Sequence, residues 1–368
     1  MTGILEIWRR KTQFGLIALI FVLVSYLVIM INGLGLGLNE LAGSALKNFN
    51  ADAIAYSDKA GLSVIRSEMG PDTVEAASTA PGVQAAAALG YVAANYQRED
   101  GKIKSTALLG YDPGTIGDPH LTSGRPLGTA DTYGLIADSS LLRAAGVGVG
   151  DSLTVRLRLS SVEFVIVGET DEGAFFFQPT AYILRQTWQG LKYGTLAEAD
   201  QPIASVVLLK GSHLAGLKGD GFEVVDKSTA FANIEGVAGQ QSTVVSLRIF
   251  GYVIGGLVVG AFFFVLTMQK VSQIGVLKAI GASGLFVFRQ ILTQVLVVWA
   301  IGLAVSIPLA YLTERALQRA PDSVPIAFTA ETFLITSASL LFAAVGGAAL
   351  SGWQISRIDP IIALGQQQ

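Results

Sequence analysis

Apolar and polar positions divide this chain unevenly. One run without a charged side chain extends from Phe14 to Leu38, and three more, Ile249–Met268, Ile291–Thr313 and Thr332–Ile355, crowd into the last third. Each, at about 20–25 residues, is long enough to cross a bilayer core as a helix. Roughly 200 residues of mixed polarity separate the first run from the second, enough for an independently folded domain. The pattern predicts one span, a large soluble domain and then three spans.

Within the long interval the pattern alternates between strand-like and helix-like pieces. Val162–Gly168 and Ser205–Leu209 are short β-rich runs, and Thr73–Ala77 reads as a helix stopped near Pro81-Gly82. Leu135–Ala145 reads as a strand edge passing into a helix, followed by a plain turn at Gly146–Asp151. An α+β domain of one or two lobes is expected. Phe175-Phe176-Phe177 is an apolar cluster in a polar loop. It packs into the core or, exposed, suits an apolar ligand or a membrane surface.

Charge orients the spans. Arg9, Arg10 and Lys11 precede the first run, whereas Asn39 and Glu40 follow it; Lys270, Lys278 and Arg289 lie between the second and third runs, and Arg357 follows the fourth. The positive-inside rule then puts both termini in the cytoplasm and the large domain outside. The first run is about twice a signal-peptide core of roughly 7–15 residues, so a retained helix is expected. The expected boundaries are an amphipathic cytoplasmic segment at 1–13, spans at 14–38, 248–269, 286–313 and 332–355, and the outer α+β domain with stalk extensions at 39–247. A cytoplasmic helix is expected at 270–285, an outer loop at 314–331 and a cytoplasmic tail at 356–368.

Composition agrees. Hydrophobic residues make up 51% and charged residues only 14% of 368, which points to an integral membrane protein. A net charge of −3 carries no basic footprint for nucleic acid. Cysteine is absent, which excludes disulfides, thiol catalysis and thiolate metal sites. No HExxH, GxSxG or Walker A pattern occurs, so neither an intrinsic metal nor ATP hydrolysis by this chain is expected. His120 and His213 read as loop residues. Gly251/Gly255 and Gly256/Gly260 place small residues on two faces of the second span, for a dimer seam or for packing within one subunit. Gly33, Gly35 and Gly37 weaken the end of the first span and suggest a hinge there.

Val271, Ile274, Leu277 and Lys278 fall at helical spacing between the second and third spans, with Gly281 as a stop. This segment, QIGVLKAIGAS, resembles the E-I-G-x-x-K-A-x-G-A segment of ABC-transporter permeases of the MacB/FtsX-like (type VII) superfamily. Arg357-Ile358-Asp359-Pro360-Ile361-Ile362-Ala363-Leu364 is similar to the family's terminal R-x-x-P-x-x-A-L, and Gly124-Arg125-Pro126-Leu127 to its GR-x-L run. The resemblance implies a dimeric permease, not itself an enzyme, paired with two separate ATP-binding subunits that hold ATP and Mg. Gln273, Ile274, Gly275, Leu277, Lys278 and Gly281 would contact them. Gln273 stands where the family usually has glutamate, which puts a charged contact there in question.

The substrate implied is amphiphilic, with haem the first choice because the chain looks most similar to haem-efflux permeases of the HrtB type. Glu40 and Glu235, near the outer ends of the first two spans, are candidate carboxylates for such a ligand; Phe49, Phe231 and Tyr252 are candidate aromatics, and Met30 lies within the first span. Solvated helix ends remain the other reading of the two glutamates. The resemblance also allows an FtsX-like signal transducer that moves no cargo, or an exporter or sensor of peptide antibiotics or lipoproteins.

Overall fold

A computed structural model describes residues 11–157, 161–194, 201–268, 284–318 and 324–356. They form two compact units, one comprising the chain up to Gly37 and from Gln241 onward, the other Leu38–Gln240. The helices, in chain order, are α1 (Lys11–Asn48), α2 (Pro71–Ser78), α3 (Ser139–Ala145), α4 (Arg185–Tyr193), α5 (Lys227–Ala232), α6 (Val237–Met268), α7 (Gly284–Gln318) and α8 (Ala330–Ser356). Among the described residues, α1, α6, α7 and α8 are long and apolar enough to cross a membrane, as the four runs predict. Three of them outgrow their runs, α7 spanning Gly284–Gln318 around the run Ile291–Thr313. α1 has 38 residues, with a kink at Gly43, where a span needs about 20, and α6 begins 12 residues before Ile249.

In the helical unit, α1, α7 and α8 supply the buried side chains: Phe14, Phe21 and Val28 meet Val295, Val298, Leu340 and Ala344. α6 joins chiefly through its glycines. A methyl added at Gly251 or Gly255 would meet Val28 or Val24 of α1 at 3.0 and 2.9 Å, and one at Gly260 would meet the Gly347 backbone of α8 at 3.1 Å. Both small faces of α6 are therefore used inside one chain. The glycines of α1 serve the same end. Helical structure continues through Gly33, Gly35 and Gly37; Phe328 covers Gly33, Val244 covers Gly35, and the Pro325 carbonyl covers Gly37. The extended segment before α8 is further held by an Ala327 amide that donates to the Gly33 carbonyl at 3.1 Å. The hinge expected at these three glycines is thus replaced by close packing. The non-helical residue in α1 is Gly43 (φ −173°, ψ 43°), where an added methyl would strike Ile234 at 2.7 Å.

The interspan domain has a mixed sheet of twelve strands among the described residues. Its organising element is the 15-residue strand β2 (Val83–Gln97), following β1 (Ala53–Ser57). The first half of β2 pairs with a strand at Val206–Gly211, and its second half with β3 (Ile103–Tyr111). Two lobes thereby share one strand. Gly90 and Gly110, opposite each other in β2 and β3, leave a flat seat for the Trp188 ring of α4, which is fully buried. The strand expected at Val162–Gly168 runs from Ser161 to Thr170, and the helix expected at Thr73–Ala77 is α2. Gly146 ends α3 in the left-handed region (φ 71°), consistent with a turn and no phosphate loop.

Gly90→Ala would push a methyl into the Trp188 ring. The full chain in detergent should lose about 1–3 kcal/mol of stability, read from a urea titration followed by tryptophan fluorescence; an unchanged midpoint would show that the ring has room to move.

Candidate functional site

Four of the sequence-selected substrate residues, Glu40, Phe49, Phe231 and Glu235, lie in the interspan domain, around the end of α1. A helix that stops leaves carbonyls in need of donors. At Gly43 the ladder is interrupted, and the carbonyls of Leu41 and Ala42 accept from the amides of Phe177 (2.9 Å) and Phe176 (3.0 Å). Ser44 Oγ accepts from the Ala174 amide at 2.8 Å, and Asn48 Nδ2 donates to the Glu172 carbonyl at 3.0 Å. Lys227 Nζ donates to the carbonyls of Lys47 and Phe49 at 2.7 and 2.9 Å, a cation at the negative end of the helix. Residues 172–177 thus clasp α1 from Leu41 to Asn48.

The clasp is a tight hairpin in which Phe175 pairs with Gln178. Its two central residues, Phe176 and Phe177, have φ of 52° and 61°, the left-handed geometry that short hairpins usually give to Asn-Gly. For bulky residues this costs about 1–3 kcal/mol each. The packing offsets it. Phe175 and Phe176 are buried edge to face at 4.6 Å, Tyr91 lies 5.8 and 5.1 Å from them, and Phe49 lies 6.4 Å from Phe175. Two of the three phenylalanines are therefore core, and Phe177 at the tip is 37% exposed.

Each interspan candidate has a neighbour that occupies it. Glu40 pairs with Lys47 at 3.6 Å, both half exposed, and the Lys47 ammonium lies 4.6 Å from the Phe231 ring centre. Phe49 is only 5% exposed, inside the core. Glu235 is exposed and accepts a hydrogen bond from Ser63 Oγ. Its charge reaches inward: burial, reinforced by Glu235, pushes the Tyr91 phenol up to about 12 and the Tyr56 phenol higher still.

In the adjacent acids Asp171-Glu172, Asp171 is exposed but Glu172 is buried. Its carboxylate accepts from Tyr182 Oη and from the His120 amide (3.0 Å). Burial raises the carboxyl above its ordinary 4.5, against the lowering effect of those hydrogen bonds. His120 Nδ1 lies 3.3 Å from Asp171 Oδ1 at the exposed rim. No group of side chains able to hold a metal occurs among the described residues.

In the helical unit Met30 and Tyr252 are partly buried against the helix core. Beside them lie polar groups that a search for charges passes over. Asn32 Nδ2 donates to Thr336 Oγ1 of α8 at 3.0 Å and reaches Tyr252 Oη at 3.5 Å; Tyr26 Oη and Thr313 Oγ1 are 2.9 Å apart. The signal was an Asn-Gly pair inside an otherwise apolar run. Gln273, Ile274, Gly275, Leu277, Lys278 and Gly281 lie outside the described residues, as do 1–10 and 357–368.

The raised carboxyl has a signed consequence. Folded Glu172 binds its proton more tightly than the unfolded chain does, so its stabilising contribution is full below 4.5 and is lost as pH rises through the folded value. Wild type should therefore lose stability relative to Glu172→Gln as pH is raised from about 4.5, measured by urea titration at each pH; a pH-independent difference would contradict the burial argument. In the clasp, Phe175→Ala should cost about 3–5 kcal/mol, whereas Phe177→Gly, which relieves a left-handed backbone, should change stability by less than about 1 kcal/mol.

Comparison with known proteins adds a separate line. Residues 245–360 match the family described as FtsX-like permease C-terminal. A HrtB protein of Staphylococcus epidermidis, named for a hemin transport system permease, is 31% identical over 137 residues, 37% of this chain and 38% of that relative. The chain thus matches about two-fifths of the length of the HrtB relatives. An uncharacterized ABC transporter permease of Mycobacterium tuberculosis is 24% identical over 97% of both chains. The periplasmic region of MacB from Actinobacillus actinomycetemcomitans aligns with 52% of this chain and 98% of its own at 15% identity and a TM-score of 0.33. Residues 245–360 are thus similar to the FtsX-like permease C-terminal family, and nearly the whole chain is similar to an ABC transporter permease.

Proposed function

We propose that this chain is the membrane-embedded permease subunit of an ABC-type efflux system. Two copies act with two separate ATP-binding subunits, which hold the ATP and Mg, and hydrolysis drives export of an amphiphilic molecule, haem the first choice. The observation that carries the reading is the FtsX-like permease domain in a chain with one apolar helix before a large α+β domain and three after it. The basic residues Arg9, Arg10, Lys11, Lys278 and Arg289 support cytoplasmic termini and an outer interspan domain. Support for haem is narrower, resting on relatives named for hemin transport.

Glu40 and Glu235 are the proposed cargo carboxylates of the interspan domain, with Phe231, whose ring lies against the Lys47 ammonium, as an aromatic contact; Met30 and Tyr252 are the proposed contacts in the helical unit. Engagement of Glu40 requires it to exchange its half-exposed pairing with Lys47, a small cost because such surface pairs contribute only about 0–1 kcal/mol. Phe49 acts from the core, behind Phe175.

Purified protein in detergent should bind hemin with a shifted Soret band, and Glu40→Ala or Glu235→Ala should weaken the binding. An unshifted band at micromolar hemin would remove haem as the cargo and favour the second reading that the FtsX match supports, a transducer acting on an outer-surface partner. Gly275→Trp or Leu277→Asp should abolish co-purification with the ATP-binding subunit while the permease still inserts. Retained co-purification would move the contact elsewhere.

A further inference from the structure

The helical unit holds few charges, and one of them has no partner. Arg248 stands on α6 immediately before the charge-free run Ile249–Met268. Gly35 of α1 leaves its face open to Val244 and to Arg248, whose Nη2 lies 3.7 Å from where a methyl on that glycine would stand. No carboxylate pairs with Arg248, and no oxygen accepts from it, among the described residues. Glu40, five residues further along α1, is taken by Lys47.

Two features separate Arg248 from an arginine that simply reaches for water. Its Nε is closed to solvent and has no acceptor, and a charged donor left so is more costly than a neutral one. In the proposed orientation it also stands at the outer end of its span, where the positive-inside rule gives a basic residue no advantage. The neighbouring positions Val245, Ile249 and Phe250 are about half-exposed or more and apolar, as residues facing lipid are. One turn deeper on the same face is Tyr252, whose Oη lies 3.5 Å from Asn32 Nδ2 of α1.

The seam of α1 and α6 thus carries an unmatched cation at head-group depth, and a phenol and an amide about 6 Å below it along the helix. That order suits a molecule with an anionic head and an apolar body. We infer that Arg248 receives the carboxylate of an anionic amphiphilic cargo, with Tyr252 and Asn32 one turn deeper beside the cargo's apolar body. A guanidinium binds a carboxylate as a fork, through two parallel hydrogen bonds, and turning toward one releases Nε from its sealed position. Hemin, the cargo proposed above, carries two such carboxylates. The inference rests on that export reading for the occupant being cargo.

The test uses the full chain in detergent and compares hemin with hemin dimethyl ester, in which both carboxylates are neutral, by Soret titration. Wild type should bind hemin about ten- to a hundredfold more tightly than the ester, and Arg248→Gln should remove that preference by weakening hemin alone. Arg248→Lys, which keeps the charge and loses the fork, should restore part of it. Parinaric acid and its methyl ester, followed by fluorescence, give the same comparison without porphyrin or iron. If neither hemin form binds wild type, haem is lost as the cargo and the parinaric pair decides on Arg248, the absence of a preference for the acid overturning the inference. Equal weakening of acid and ester in Arg248→Gln, or no weakening of either, would overturn it while hemin export stands. So would native mass spectrometry in which Arg248→Gln loses bound phosphatidylglycerol yet keeps its preference for the acids, because the cation would then serve a lipid phosphate.

Discussion

Among lipid tails, which are as apolar as leucine, bringing two leucine-faced helices together gains little, and cohesion has to come from close contact and from hydrogen bonds. The helical unit is arranged around that constraint. Gly251 and Gly255 seat the Val28 and Val24 side chains of α1, Gly260 lets α6 meet the α8 backbone at Gly347, and Gly33 and Gly37 let the segment before α8 pack against α1. Uncharged polar groups complete the association, with Asn32 joining α1 to α8 and Tyr26 joining α1 to α7.

The interspan domain answers a different constraint, the unfinished backbone of a helix that ends inside a protein. Leu41 and Ala42 need donors where α1 breaks at Gly43, and the Phe175–Phe177 hairpin brings its amides there at the expense of two left-handed phenylalanines. Edge-to-face packing with Tyr91 and burial of Glu172 beneath the same hairpin tie it to the sheet. Strain, a buried carboxylate and a helix terminus are therefore one local arrangement, and the proposed cargo carboxylate Glu40 lies one turn from it.

The surroundings of the candidate residues were only partly legible. Glu40 was selected as an acid at a span end, Met30 as a thioether within a span and Phe231 as a nearby aromatic, and none of these local features says what the side chain touches. Phe49 belongs to the core, since one aromatic in a run of mixed polarity reads alike whether it faces a ligand or another ring. Glu172 was hidden for the opposite reason: it sits in an Asp-Glu pair that looks solvated, and only Tyr182 and the His120 amide, distant in sequence, make its burial tolerable.

The sequence by itself determined the number and spacing of the apolar helices, the α+β character of the interval and the absence of thiol chemistry, because these depend on local composition and on period. It also carried segments that resemble those of ABC-transporter permeases. Tertiary structure alone decided what the glycines do. A glycine in a helix is locally only a weak point, and the same three on α1 suggest a hinge when read along the chain; with Phe328, Val244 and Pro325 against them they are points of contact. Whether a small residue loosens a helix or seats a neighbour depends on what lies across from it, and that partner comes from a segment up to 295 residues away along the chain, as for Gly33 and Phe328.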